Sequence, residues 1–307
     1  FTSLSIQVVT APVILWHSFG IPVYGVFLNL IVIPLMTYVV ISGFLGLGLS
    51  FLSESVGGAM LGGAHYILKF YEVICNWTGE LPEAELVLGQ PELWKIGCYY
   101  GLMIFGAVVY ERGMEIAENK KHRLVLLCAA WLAAFLFLLP SRQTGLSATF
   151  LDVGQGDGIV LRSESHTILV DCGSSQQKSI GEKVLVPYLK SQGVTRLDHM
   201  NGIRYLLEHP ESGIRVGGLM MPEAGKDAIY GKMAELAKKR DVPVFYAQKG
   251  DIWNNFPGKG MSMECLSPDG GTEFTDRNEE SLVFRLTYGR FSMLLTGDME
   301  TSGEETL

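Results

Sequence analysis

The sequence predicts a polytopic α-helical membrane region followed by an α/β domain of packed sheets and helices. Three observations predict it. Of the 24 Lys/Arg and 32 Asp/Glu, only 16 fall in residues 1–150 and 40 fall in residues 151–307, and the first stretch has no Asp at all. Residues 21–52 carry no charge, a run longer than the ~20 apolar residues that cross a bilayer. After residue 146 the pattern changes to short alternating strands separated by turn residues and amphipathic helices. One half is too apolar for an ordinary soluble domain and the other has ordinary soluble composition, which excludes a single globular domain, a disordered chain and a collagen-like repeat. The division expected is a membrane domain over 1–140, a linker over 141–146 and an α/β domain over 147–307.

In the first part, residues 3–19 are apolar but interrupted by Pro12 and by Gln7, His17 and Ser18, which reads as a broken or interface-lying helix. Residues 21–52, with Pro34 and a set of glycines, read as one kinked span or a span with a broken extension, since Pro and Gly are better tolerated in membrane helices. Three more spans are expected over 56–75, 93–110 and 124–139. The polar positions Gln7, Asn29 and His65 suit either a lined path or hydrogen bonds between helices.

Orientation follows from basic residues in short loops. The loop 111–123 holds Arg112, Lys120, Lys121 and Arg123, and the loop 78–92 holds no Lys or Arg but Glu80, Glu83, Glu85 and Glu92. The first is expected in the cytoplasm and the second outside, which delivers everything after Pro140 to the extracytoplasmic side. The opening at Phe1 in apolar sequence and the stop at Leu307 in a nascent helix predict a domain pair incomplete at both termini. Cys75, Cys98, Cys128, Cys172 and Cys265 form no Cys-x-x-Cys and read as free structural thiols.

In the second part, Ser147–Asp152, Ile159–Arg162 and Thr167–Asp171 read as strands, 178–192 and 200–208 as helices, and Ile214–Met220 as a strand. A Lys-rich helix over 226–240, a strand over 243–248, and strands Met261–Leu266, Leu282–Tyr288 and Phe291–Thr296 come next. The cluster Lys226, Lys232, Lys238, Lys239 and Arg240 is either a solvated helix face or a nucleic-acid surface. Gly154-Gln-Gly-Asp-Gly158 is followed by a strand rather than a helix, so it is no dinucleotide fingerprint. Asp152, Asp157, Asp171 and Asp298 sit at strand ends, where turns, caps and catalytic or metal-binding groups are all placed.

The run Ala148-Thr-Phe-Leu-Asp-Val-Gly-Gln-Gly-Asp157, with Ile168-Leu-Val-Asp171-Cys-Gly173, Asn278-Glu-Glu-Ser-Leu-Val-Phe-Arg285 and Leu294-Leu-Thr-Gly-Asp298, resembles the metallo-β-lactamase-fold domain of the ComEC competence family. The apolar stretch with Leu28-Asn-Leu30 and Ile33-Pro-Leu35 is similar to the end of that family's membrane domain. The resemblance implies an αββα layer order and a multi-pass cell-membrane protein passing single-stranded DNA into the cell. Its partners would be single-stranded DNA, the lipid bilayer and other components of the uptake machinery. It also implies an extracytoplasmic nuclease using a divalent metal, Zn or Mn, for phosphodiester hydrolysis.

The family's metal motif, His-x-Asp-x-Asp-His, comes after a Leu-Asp dipeptide and a strand. Here the chain reads Arg196-Leu-Asp-His-Met-Asn-Gly-Ile203. Leu197-Asp198 matches the entry to the strand, while His199 to Ile203 matches the segment immediately after the motif's last His. By resemblance, Asp198 stands for either motif Asp, His199 is the surviving His ligand, and Asp298 matches the bridging carboxylate. One His and one or two carboxylates do not hold a dinuclear site, so the nuclease is expected to be inactive. The alternatives are a membrane-tethered metallo-hydrolase of the same fold with a non-DNA substrate, or a non-catalytic remnant.

Overall fold

The computed structural model describes residues 2–81, 83–112, 120–141, 143–164, 166–173, 179–201, 204–223, 228–254, 260–269, 281–297 and 299. The chain divides into two compact units, Phe1–Leu139 and Pro140–Leu307.

The first unit is helical: α1 Thr2–Ser18, α2 Gly25–Ser50, α3 Glu54–Gly79, α4 Leu93–Arg112 and α5 Lys120–Leu138. Among the described residues α2 alone is long and apolar enough to cross a membrane, with shorter apolar helices over Leu4–Ser18, Leu93–Val108 and Cys128–Leu138. The α3 helix equals α2 in length but carries Glu54 and an exposed Lys69–Glu72 ion pair of 2.8 Å. The α2–α3 hairpin closes where glycine permits it. A Cβ on Gly46 would lie 2.8 Å from Leu61, and one on Gly57 would lie 2.6 Å from the Ser50 Cα.

The expected break in α1 does not occur; the helix continues through Pro12. Proline removes the N–H that would bond to the carbonyl four residues back, here that of Val8. The Tyr99 hydroxyl of α4 donates to Val8 O at 2.8 Å, and Tyr100 donates to Val9 O at 3.0 Å. Leu15, Tyr99, Ala134 and Leu138 form the buried core between α1, α4 and α5. Buried Lys95 donates from Nζ to Leu139 O at 3.0 Å, just past the end of α5, where helix carbonyls lack partners and attract a cation. A ribbon of β1 (Gly20–Pro22) and β2 (Glu85–Val87), which the sequence pattern does not predict, pairs Ile21 with Leu86.

The second unit has two main sheets. The six-stranded sheet runs in the order β10 (Val244–Ala247), β9 (Leu219–Pro222), β7 (His199–Met200), β5 (His166–Asp171), β4 (Gly158–Ser163), β3 (Leu146–Phe150). The four-stranded sheet is β11 (Ile252–Trp253), β12 (Met261–Ser267), β13 (Val283–Tyr288) and β14 (Phe291–Leu295). A parallel pair, β6 (Arg196–Leu197) and β8 (Arg215–Val216), stands apart. Period-two alternation gives the large sheet two buried faces. Val160, Leu169, Met200 and Met221 pack with Leu185, Leu189, Leu206 and Met233 of the helical layer. Ile159, Leu161, Ile168, Val170 and Met220 pack with Met263, Phe284 and Leu286 of the second sheet. The helical layer comprises α6 (Val186–Ser191, entered through a π-helical turn Gly181–Leu185), α7 (Tyr205–Glu208) and α8 (Ala228–Lys239). The described layers are therefore helix, sheet, sheet; the segments expected to supply a second helical layer lie outside the described residues.

Three readings of this unit are corrected. The helix expected over 200–208 is strand β7 at its start and helical only from Tyr205. The continuous strand 214–220 is two short strands in different sheets, split at Gly217-Gly218. A Cβ on Gly217 would lie 2.9 Å from Asp198 O, and one on Gly218 2.8 Å from the Phe245 ring. The first strand spans Leu146–Phe150 rather than 147–152.

Candidate functional site

In an α/β sheet, catalytic groups collect where strands end at their carboxyl side. Strand β5 ends at Asp171, and Gly158 at the start of antiparallel β4 pairs with it. The loop 151–157 therefore lies at the same sheet end and brings exposed Asp152 and half-buried Asp157 to that border. Gly154 (φ +78°) and Gly156 (φ +133°) turn this loop, after which β4 begins, in agreement with rejection of a dinucleotide site.

Asp171 is held tightly. Its φ is +51°, and Cys172 comes next at φ +153°, a pair of backbone conformations that side chains rarely adopt and that need support. The support is local: Asp171 Oδ1 accepts from Cys172 N at 2.7 Å and from Gly173 N at 3.0 Å. Burial, with Asp171 adding to it, pushes the Cys172 thiol up to about 12. It is a packing thiol rather than a nucleophile.

Asp198 and His199, both expected near a metal, lie away from this border. Asp198 sits between β6 and β7, and its Oδ2 accepts from Thr167 N at 2.8 Å, while His166 Nε2 and Arg196 Nε stand 4.0 and 3.9 Å from its Oδ1. His199 is a strand residue: it pairs with Ile168, three residues before Asp171, ~10 Å along a strand. Its ring meets Phe245 edge-on, with centroids 5.4 Å apart. Burial holds its imidazole below the ordinary value; Asp198 opposes this, and His166 and Arg196 reinforce it. Asp298 lies outside the described residues. An opening beside His199, lined by Val170, Asn201, Met220, Met263 and Phe284, has room for about one water.

A family model described as "Competence protein" matches residues 1–113, on the helical unit. ComE operon protein 3 of Bacillus subtilis is 24% identical over 99% of this chain and 41% of its own length. Competence protein ComA of Neisseria gonorrhoeae is 27% identical over 96% of this chain and 38% of its own, and recombination protein 2 of Haemophilus influenzae is 28% identical over 59% and 21%. The chain is thus similar to competence proteins along most of its length, and the competence family model covers residues 1–113 of it. It spans about two-fifths of the length of the first two relatives. The Bacillus match runs over 339 positions against 307 residues here, so that relative carries residues with no counterpart in this chain. The solved metallo-β-lactamase fold protein YhfI of Bacillus subtilis aligns with a TM-score of 0.28 and 18% identity, over 51% of this chain and 61% of that one.

Among the described residues, the histidines and carboxylates of the second unit do not converge as a two-metal centre. The second unit has three histidines. His166 and His199 belong to the Asp198 group, and His209 stacks on Tyr205 at 4.3 Å and bonds Glu211 at 2.6 Å. Among the described residues no three His, Cys, Asp or Glu side chains converge as a metal site. Sequence reasoning missed Asn201, whose Oδ1 accepts from Asp171 N at 2.6 Å. An Asn beside a shortened strand is the signal that points to it.

Proposed function

We propose that this chain is a portion of a DNA-uptake protein of natural transformation. In this reading its helical unit is membrane-embedded and multi-pass, and its α/β unit is an extracytoplasmic, metallo-β-lactamase-like domain without nuclease activity. The observation that carries the reading is the competence-family match over residues 1–113, which falls on the helical unit. The loop charges support the orientation: four basic residues over 111–123 against four Glu over 78–92. Single-stranded DNA is a polyanion that needs a protein-lined path through the hydrocarbon core, and several packed helices supply one where a single anchor would not.

Hydrolysis of a phosphodiester would require groups that place a nucleophilic water and stabilise the leaving oxygen. The opening beside His199 is far smaller than the ~300 Å³ of a small-molecule site, and the carboxyl border at Asp171 brings no histidine among the described residues. In this reading the domain contributes contact or positioning rather than cleavage.

The test is a graft into a transformable host. Residues 1–139 replace the matched segment of the host's competence protein, and DNA-dependent transformants are counted. Recovery well above the deletion background is expected; membrane insertion of the graft with no transformants would overturn the reading. A second graft carrying 140–307 in place of the host's soluble domain should release no acid-soluble nucleotides.

A further inference from the structure

The central strand of the large sheet, β7, is two residues long between a six-residue β5 and a four-residue β9. A sheet cut this way leaves backbone donors and acceptors of the longer neighbour without ladder partners, which is costly in a buried strand. Here they are filled. At the near end Thr167 donates from N to Asp198 Oδ2 at 2.8 Å, and Asp198 N donates to Thr167 O at 2.8 Å. At the far end Asp171 donates from N to Asn201 Oδ1 at 2.6 Å, and Asn201 N donates to Leu169 O at 3.2 Å. Between them Ile168 and Leu169 pair with His199 and Met200. On the other side Met200 N donates to Gly218 O at 3.0 Å.

We infer that Asp198 and Asn201 are strand clamps: one carboxylate and one carboxamide stand in for the missing length of the strand, and the α/β unit keeps its fold with no metal ion. The residues on either side of the place where the family carries its metal motif thus serve the sheet. Resting on the reading of a catalytically silent domain, this names the work those positions do instead. The four hydrogen bonds lie at two positions flanking two ladder pairs, and either clamp alone leaves the other end of β7 closed.

The experiment uses the full chain in detergent, with the unfolding of the β-rich unit followed by near-ultraviolet circular dichroism. Melting is recorded in chelator, in Mn²⁺ and in Zn²⁺. The wild-type midpoint should be the same in all three. Asp198→Ala and Asn201→Ala should each lower it by about 2–10 °C, the range expected when a buried amide loses its acceptor, and by the same amount in every buffer. Asp198→Asn and Asn201→Asp keep an acceptor oxygen and should recover most of the loss, which also covers the case in which an alanine variant fails to fold. A midpoint raised by Mn²⁺ or Zn²⁺ in wild type and not in Asp198→Ala would overturn the inference, as would alanine variants as stable as wild type. The graft experiment reads transformation through the helical unit, so the two readings fail separately.

Discussion

The Tyr99 hydroxyl donates to the Val8 carbonyl at 2.8 Å, the carbonyl that Pro12 leaves without its helical partner. This contact joins residues 91 positions apart and lets α1 run through a proline that ordinarily ends a helix. Removing the hydroxyl with Tyr99→Phe keeps the ring and exposes the cost of the orphaned carbonyl, about 1–3 kcal/mol. Tyr100→Phe, whose bond lies at an exposed position, should cost less. Unfolding of both variants in detergent checks the order; equal stabilities would refute the role given to Tyr99.

Lys95 is buried in apolar α4 and reaches the Leu139 carbonyl, with Glu92 at 3.7 Å. Lys95→Met fills similar volume but leaves the end of α5 without its cation. A loss of about 1–2 kcal/mol is expected from the hydrogen bond and the helix-end charge together, measured as a lower detergent-unfolding midpoint. A variant as stable as wild type would show that the cap contributes nothing.

The stability of the α/β unit should depend on pH through His199. Burial lowers its folded pKa below the ordinary 6.5, so in the unfolded chain the imidazole takes a proton at a pH where the folded one does not. Unfolding therefore gains protons, and stability falls as pH drops below about 6.5 and is fully present above it. The groups facing it are Asp198, His166 and Arg196. Denaturant midpoints at pH 7.5 and 5.5 for wild type and His199→Gln isolate this residue from His166 and His209. The wild type should lose more on acidification than the variant; equal losses would remove His199 as the cause.

The entry into α6 is built on one close approach. A Cβ on Gly181 would lie 2.2 Å from Tyr205 Cγ, so Gly181→Ala cannot be absorbed without moving α7. A loss of about 1–3 kcal/mol or more is expected. Adding Tyr205→Ala should return part of it, and a double-mutant cycle reads the coupling. Additive losses would show that the two residues do not meet.

Much of this architecture is legible in the sequence because it is local. The uncharged run of α2 and the β4–β5 hairpin announce themselves through composition and period, and the strand after Gly158 settles the glycine-rich loop. The features that are not legible depend on distant partners. Nothing near Pro12 shows that Tyr99 will supply a donor. Gly217-Gly218 reads as part of a strand until Asp198 and Phe245 are known to press against it. His199 reads as a metal ligand because it borders a motif that is missing. The structure puts it in a strand, since β5 and β9 flank that position and a two-residue strand suffices when side chains close its ends.

The measurement that bears most directly on a membrane-embedded helical unit with an outward α/β unit is site-specific labelling in intact cells. In a chain with its native cysteines replaced, one cysteine is placed at exposed Lys239 and, separately, one in the 111–123 loop. A membrane-impermeant maleimide should label the Lys239 site in intact cells and the loop site only after permeabilisation. Labelling of the loop in intact cells, with the Lys239 site protected, would contradict the account.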